Sequence, residues 1–126
     1  MTHGDASIRD LDVDGQSLLE KLDRVLQLEL YDATLPRIAT RLGMSSRSLQ
    51  RHLRHMGTSF RRELETARVR EAKRRMRTAS LPLTTIALDL GFASIQGFGR
   101  SFFRSTGVYP RAWRNEDSAT RASSAK

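Results

Sequence analysis

A chain of 126 residues without cysteine has room for one small domain or two very small ones, and it holds neither a disulfide nor a thiolate metal site. Its start is acidic, unlike a secretory signal, and no apolar run approaches the roughly 18 residues of a membrane span, so we expect a soluble, cytoplasmic protein without membrane contact. The net charge of +8 is unevenly distributed: residues 1–36 contain 8 acids and 3 bases, whereas residues 37–114 contain 4 acids and 17 bases, mostly arginine. Such an arginine-rich region favours recognition of phosphates or bases over a merely solvated surface.

The first predicted unit is a helix-turn-helix subdomain over residues 15–57, and residues 1–14 are interpreted as an acidic tail or linker remnant. Its first helix carries leucine and valine at helical spacing. Thr34 is the predicted N-cap of a short second helix that ends at Gly43, and Ser45 is the predicted N-cap of a third helix. Two helices joined by so short a turn are typical of a helix-turn-helix. The residues that the third helix places inward are Leu49 and Leu53.

Residues 58–79 are predicted to form one long linker helix with Ser59 as its N-cap. Its apolar residues form two sets that lie on different faces of the helix. At ~100° per residue, the second set lies about 130° around the helix axis from the first. Such a helix joins two lobes that each have their own core. Its length of about 30 Å is close to the ~34 Å between adjacent major grooves on one face of DNA, so a monomer is predicted to read two grooves. The two sets are Phe60, Leu64 and Ala67, and Ala72, Met76 and Ala79.

Residues 80–114 are predicted to repeat the first subdomain, and residues 115–126 are predicted to form a disordered polar tail. Apolar positions recur at an offset of 48 residues before the turn and 49 residues after it. Ser94 is the predicted N-cap of the helix after this second turn. Pro110 opens a final short helix, whose Trp113 is predicted to belong to the core. The matched pairs are Ile38 and Ile86, Ala39 and Ala87, Leu42 and Leu90, Gly43 and Gly91, Leu49 and Phe98, and Leu53 and Phe102.

The exposed positions of the two capped helices indicate a function. Positions two, five and six after each serine cap are predicted to point outward. Arginine pairs with O6 and N7 of guanine and glutamine with N6 and N7 of adenine, so such a face is suited to reading base edges in a major groove. Both residue types are also common on wet helix surfaces, but their repetition favours DNA reading. The residues are Arg47, Gln50 and Arg51 in the first copy, and Gln96, Gly99 and Arg100 in the second.

The sequence contains the stretch LPRIATRLGMSSRSLQRHLRHMGTSF, an R-x-x-x-A arrangement at Arg68 and Ala72, and IALDLGFASIQGFGRSFFRSTGVYPRAWR over residues 86–114. With these motifs, most of the chain resembles the DNA-binding domain of AraC/XylS-type bacterial transcription regulators. The resemblance implies an all-α fold of about seven helices, in which a long linker helix joins two helix-turn-helix subdomains. It also implies a sequence-specific regulator whose two recognition helices enter successive major grooves on one face of DNA.

The sequence departs from the family pattern in the second copy. Gly97 and Gly99 stand where larger or polar residues are usual, and each should loosen the helix by roughly 1 kcal/mol relative to alanine. Ile95 offers contact with a thymine methyl group but no hydrogen bond. Tyr109 stands where a serine commonly caps the last helix. The second recognition helix is therefore predicted to be the weaker reader.

The predicted DNA contacts form two sets. The base-reading residues are Ser46, Arg47, Gln50, Arg51, Ile95, Gln96 and Arg100. The residues predicted to contact the DNA backbone are Arg54, His55, Lys73, Arg74 and Arg104. For the linker cations, a solvated face without phosphate contact is the alternative interpretation.

Catalytic and metal-dependent functions are not predicted. His52 and His55 have a spacing that suits a metal, but no carboxylate or cysteine follows nearby, so no metal or other cofactor is expected. An enzyme acting on nucleic acid would need paired carboxylates, and the acids after residue 36 are too scattered on the helices to supply them.

The expected partner is double-stranded DNA, and RNA polymerase is a further candidate partner. No small-molecule effector site is evident in this chain, which is either a stand-alone regulator or the terminal part of a longer one. The rival interpretation is an adaptor whose basic face binds an acidic protein. An adaptor would bind DNA with only the steep salt dependence of non-specific association.

Overall fold

The computed structural model describes residues 15–78 and 80–124, and within those ranges it contains seven α-helices and no β-strand. The predicted all-α fold is thereby confirmed. The acidic segment 1–14 lies outside the described residues. None of the described helices combines the length and the apolar composition needed to cross a bilayer. The helices are α1 (Gly15–Leu28), α2 (Leu35–Arg41), α3 (Ser46–His55), α4 (Phe60–Thr78), α5 (Leu83–Asp89), α6 (Ile95–Thr106) and α7 (Pro110–Ser124).

The helices divide into two compact units. The first contains α1 to α3 and the start of α4 up to Leu64, and the second contains the rest of α4, α5 to α7 and the short segment 30–32. The sequence predicted a linker helix separate from both subdomains, whereas the structure assigns one part of α4 to each unit. Ser59 caps this helix, since its Oγ accepts a hydrogen bond from the Arg62 amide at 3.1 Å.

In the first unit, side-chain caps set the helix starts that orient the core. Thr34 Oγ1 accepts a hydrogen bond from the Arg37 amide at 3.3 Å, and Ser45 Oγ accepts one from the Ser48 amide at 3.0 Å. The apolar stripes of α1, α2 and α3 form the core of this unit. The buried apolar side chains of this unit are Leu18, Leu22, Leu26, Ile38, Ala39, Leu49 and Leu53.

The second unit repeats this arrangement around an aromatic core. Ser94 Oγ accepts a hydrogen bond from the Gly97 amide at 3.0 Å and so sets the start of α6. Phe98 and Phe102 are fully buried, as their spacing predicted. The Phe102 ring contacts the Trp113 ring edge-on at a centroid distance of 5.8 Å, and Trp113 itself is half-buried. This tryptophan therefore borders the core instead of filling it.

Arg68 and Gly91 fix the turn between α5 and α6. The Arg68 guanidinium donates two hydrogen bonds to the Leu30 carbonyl, at 3.1 and 2.8 Å, and lies 5.4 Å from the centre of the Phe92 ring. Burial lowers the pKa of Arg68. Gly91 has φ +96°, and a Cβ there would lie 2.4 Å from the Tyr31 carbonyl oxygen, so the turn requires glycine.

The last helix is longer than the sequence predicted. A disordered tail was expected from residue 115, but α7 continues to Ser124. The first half of this helix interacts with α4 and with the segment before α5: Arg77 Nε donates to Asp117 at 3.4 Å, and Arg114 Nη1 donates to the Leu81 carbonyl at 2.8 Å. These partners lie more than 30 positions away, and the local composition does not predict them.

Candidate nucleic-acid interface

The first predicted recognition helix, α3, separates an apolar inner face from a cationic outer face. Leu49 and Leu53 have no exposed surface, which fixes the rotation of the helix about its axis. The outer side chains at positions i, i+3, i+4 and i+7 then lie on one face. All four are exposed, and none forms an ion pair with another residue of the described ranges. They are Arg47, Gln50, Arg51 and Arg54; Ser46 at the start of the helix is half-buried.

The two histidines of α3 lie in different environments. His52 is buried, and its Nδ1 lies 2.8 Å from the Ser48 carbonyl oxygen one turn earlier. His55 is exposed at the end of the helix, beside Arg54. His52 therefore belongs to the core of the first unit, and His55 stays available to a partner at the surface. His52 lies three positions after the buried Leu49, and this helical spacing was the sequence signal for its burial.

The second predicted recognition helix, α6, has a different outer face. Phe98, Phe102 and the small Ser101 are buried. Gln96 and Arg100 are exposed, whereas Ile95 is half-buried. The structure thus brings the predicted second set of base-reading residues onto one helix. Because α6 has glycine at two positions, this helix offers fewer hydrogen-bonding side chains than α3.

A carboxylate that the sequence reasoning missed fixes α6 against α4. Ser101 Oγ donates a hydrogen bond to Glu65 Oε2 at 2.6 Å, and Arg104 pairs with the same oxygen. Arg104, a predicted backbone contact, is therefore already engaged in the free chain. No motif in the sequence marks Glu65, because its partners lie 36 and 39 positions away along the chain.

The two linker cations predicted to contact the backbone are engaged as well. Arg74 donates from Nε and Nη2 to the two carboxylate oxygens of Glu71, at 2.9 and 2.6 Å. These hydrogen bonds hold the pKa of Glu71 below its ordinary value and raise that of Arg74. Lys73 lies 5.9 Å from the centre of the Trp113 ring. Contact of either residue with phosphate competes with these internal interactions.

Comparison with known proteins identifies the family. Residues 38–116 match a family model described as a helix-turn-helix domain. The chain is 38% identical over 111 residues to the ornithine utilization regulator of Pseudomonas aeruginosa, covering 87% of this chain and 32% of that protein. It is 33% identical over 100 residues to the transcriptional activator NphR of a Rhodococcus species, covering 78% of this chain and 30% of that one. The chain thus spans about a third of the length of these curated relatives.

A solved structure of similar fold contains DNA. The DNA-binding domain of AdpA, a global transcriptional factor crystallised with a target DNA, superposes with a TM-score of 0.72 at 27% identity, over 82% of this chain and 96% of that one. The C-terminal domain of AraT, a response regulator from Geobacillus stearothermophilus, gives a TM-score of 0.68 at 26% identity, over 78% and 84% of the two chains. Since the family model covers more than half of its length, the chain belongs to the AraC-type family of helix-turn-helix domains.

Proposed function

We propose that this chain binds double-stranded DNA at a specific sequence and regulates transcription, without a catalytic role. The observation that carries this proposal is the outer face of α3, where Arg47, Gln50 and Arg51 are exposed on a capped helix with a fully packed inner face. An ordinary solvated surface would not need all of these side chains on one face beside a helix-turn-helix turn. The AdpA domain crystallised with target DNA has the same fold.

Some α3 side chains are assigned to contacts with bases and others to contacts with the DNA backbone. Arg47 and Arg51 suit guanine, and Gln50 suits adenine, because each can form two hydrogen bonds with its base in the major groove. The hydroxyl group of Ser46, at the start of the helix, can form a hydrogen bond with either an acceptor or a donor on a base edge. Arg54 and His55 lie at the far end of the helix and reach phosphates, which positions the helix without reading sequence.

On α6 we assign base reading to Ile95, Gln96 and Arg100, in a second major groove. The phosphate contacts of this unit fall to Arg104, Lys73 and Arg74, each of which must leave or share its internal partner. For Arg74 and Arg104, exchange of one anionic partner for another changes the binding free energy little, so these two residues contribute less to affinity than their charge suggests. Contact with RNA polymerase stays a prediction, as does the lack of an effector site.

The test is selection of bound sequences from a random DNA pool, followed by affinity measurements at one salt concentration. A specific reader should bind the selected site about 10³-fold or more above random duplex. Equal affinity for both DNAs, with a steep salt dependence, would instead support the adaptor that binds acidic partners.

A matched pair of triple variants assigns the activity to α3. Replacing Arg47, Gln50 and Arg51 by alanine keeps good helix formers in the helix and should remove the preference for the selected site. The control replaces Lys21, Arg24 and Gln27, which are exposed on α1 and carry the same charge and the same amide. Equal losses of preference in both variants would contradict the assignment to α3.

A further inference from the structure

An open groove of about 430 Å³ lies beside α6 within the second unit. Ile95, Gly99, Tyr109 and Pro110 supply mostly apolar walls, and the exposed side chains of Gln96 and Arg100 line it as well, together with Arg111. The groove is thus on the same face of α6 as the residues assigned to base reading. No residue motif in the sequence predicts it, because its walls come from α6, from Tyr109 and the start of α7, and from Leu83 at the start of α5.

Gly99 leaves part of the groove open, because position 99 has no side chain. A Cβ on Gly99 would lie 3.8 Å from Cδ1 of Tyr109, at ordinary contact distance, so a larger side chain would occupy the groove. The Tyr109 ring stacks on Phe103, with 4.7 Å between the ring centres and 23° between the planes. This stacking holds the tyrosine ring in place as a wall.

The chemistry of the groove fits one feature of DNA. Exposed guanidinium groups next to an apolar wall complement anionic phosphates that flank an apolar group. In the major groove the apolar group on the base edges is the C5-methyl group of thymine, and apolar side chains recognise it by contact.

We propose that this groove, formed by Ile95, Gly99 and Tyr109, selects thymine by its methyl group in the half-site bound by α6. The proposal rests on the proposed function and assigns the specificity of the second helix to apolar contact. The first reading helix provides an internal comparison. Its counterparts of Ile95 and Gly99 are Ser46 and Gln50, which are polar, so α3 reads by hydrogen bonds.

The direct test replaces each thymine of the selected site by deoxyuridine, one position at a time. Deoxyuridine lacks only the methyl group and keeps every hydrogen-bonding group. At one or two thymines under α6 the affinity should fall about fourfold, equivalent to the ~0.8 kcal/mol of one buried methylene-sized group. Thymines under α3 should respond less. A specific site without thymine under α6, or without loss on any such replacement, would overturn the proposal while leaving the proposed function intact.

Two glycine variants in α6 locate the effect in the groove. Gly99→Ala adds a methyl group inside the groove without a clash, and it should reduce the thymine-to-deoxyuridine affinity ratio toward one. Gly97→Ala is the control, because its Cβ would face Ser94 and Arg100 and not Tyr109; the ratio should remain about fourfold, as for the methyl contact itself. Equal ratios in both variants would overturn the assignment.

Other occupants give other results. If Gly99→Ala changes the molecular mass of the chain in solution and leaves the thymine ratio unchanged, the groove seats a second copy and the thymine assignment is wrong. If the wild-type chain binds all sequences equally, the proposed function fails first, and the thymine assignment fails with it.

Discussion

At the scale of single residues, Arg51 offers the clearest test of base reading. It is exposed on α3, between the fully buried Leu49 and Leu53, so its replacement should leave the fold intact. Arg51→Ala should weaken binding to the selected site by about 1–3 kcal/mol and relax the preference at one base position. Fluorescence anisotropy on the selected and single-mismatch duplexes measures both effects. Arg24→Ala on α1 is the control, and equal weakening on random DNA would remove Arg51 from the base-reading set.

Glu65 is a second residue with a measurable role, since it binds both Ser101 and Arg104. Glu65→Gln keeps an acceptor for Ser101 but no longer neutralises Arg104. The freed guanidinium should raise affinity for selected and random DNA alike, and the slope of log K against log salt should steepen by about one unit. Glu20→Gln, at an exposed position of α1, makes the same change in net charge. If the two variants behave identically, Arg104 does not contact phosphate.

At the scale of helices, the sequence predicts what depends on neighbouring residues. The caps at Thr34, Ser45 and Ser94 form as predicted because each bond spans three positions, and apolar periodicity places Phe98 and Phe102 in the core. Interactions between distant positions were not predicted. The pair of Arg77 with Asp117, the Glu65 pair and the groove beside α6 all depend on which side chains meet after folding.

Replacement by alanine should change the free energy of unfolding in opposite directions at Gly91 and at Gly97. Gly91→Ala forces a Cβ against the Tyr31 carbonyl at a positive φ, and it should destabilise the chain by about 2–4 kcal/mol. Gly97→Ala, inside α6 with its nearest neighbour at 3.4 Å, should stabilise the chain by roughly 0.5–1 kcal/mol. Urea unfolding of both variants measures the two free energies. A neutral Gly91→Ala variant would show that the turn can rearrange.

At the scale of the whole molecule, the distribution of ion pairs matters more than the net charge of +8. Several cations pair with carboxylates inside their own unit, whereas the outer face of α3 has no such pair with the described residues. The three arginines on that face of α3 are therefore available to DNA, whereas Arg104 of α6 already pairs with Glu65. The paired cations are Arg37 and Arg41 with Glu29, Arg74 and Arg75 with Glu71, Arg77 with Asp117, and Arg104 with Glu65.

This asymmetry predicts that the two reading helices contribute unequally to sequence choice. α3 offers free hydrogen-bonding groups on a helix without interior glycine, whereas α6 contains Gly97 and Gly99, whose conformational freedom binding must restrict. Single mismatches should cost roughly 1–3 kcal/mol under α3 and less under α6, where loss of a methyl contact is the main penalty. Base-by-base substitution of the selected site measures each cost. Equal information in both half-sites, or more of it under α6, would show that Gln96 and Arg100 read bases as strongly as their counterparts.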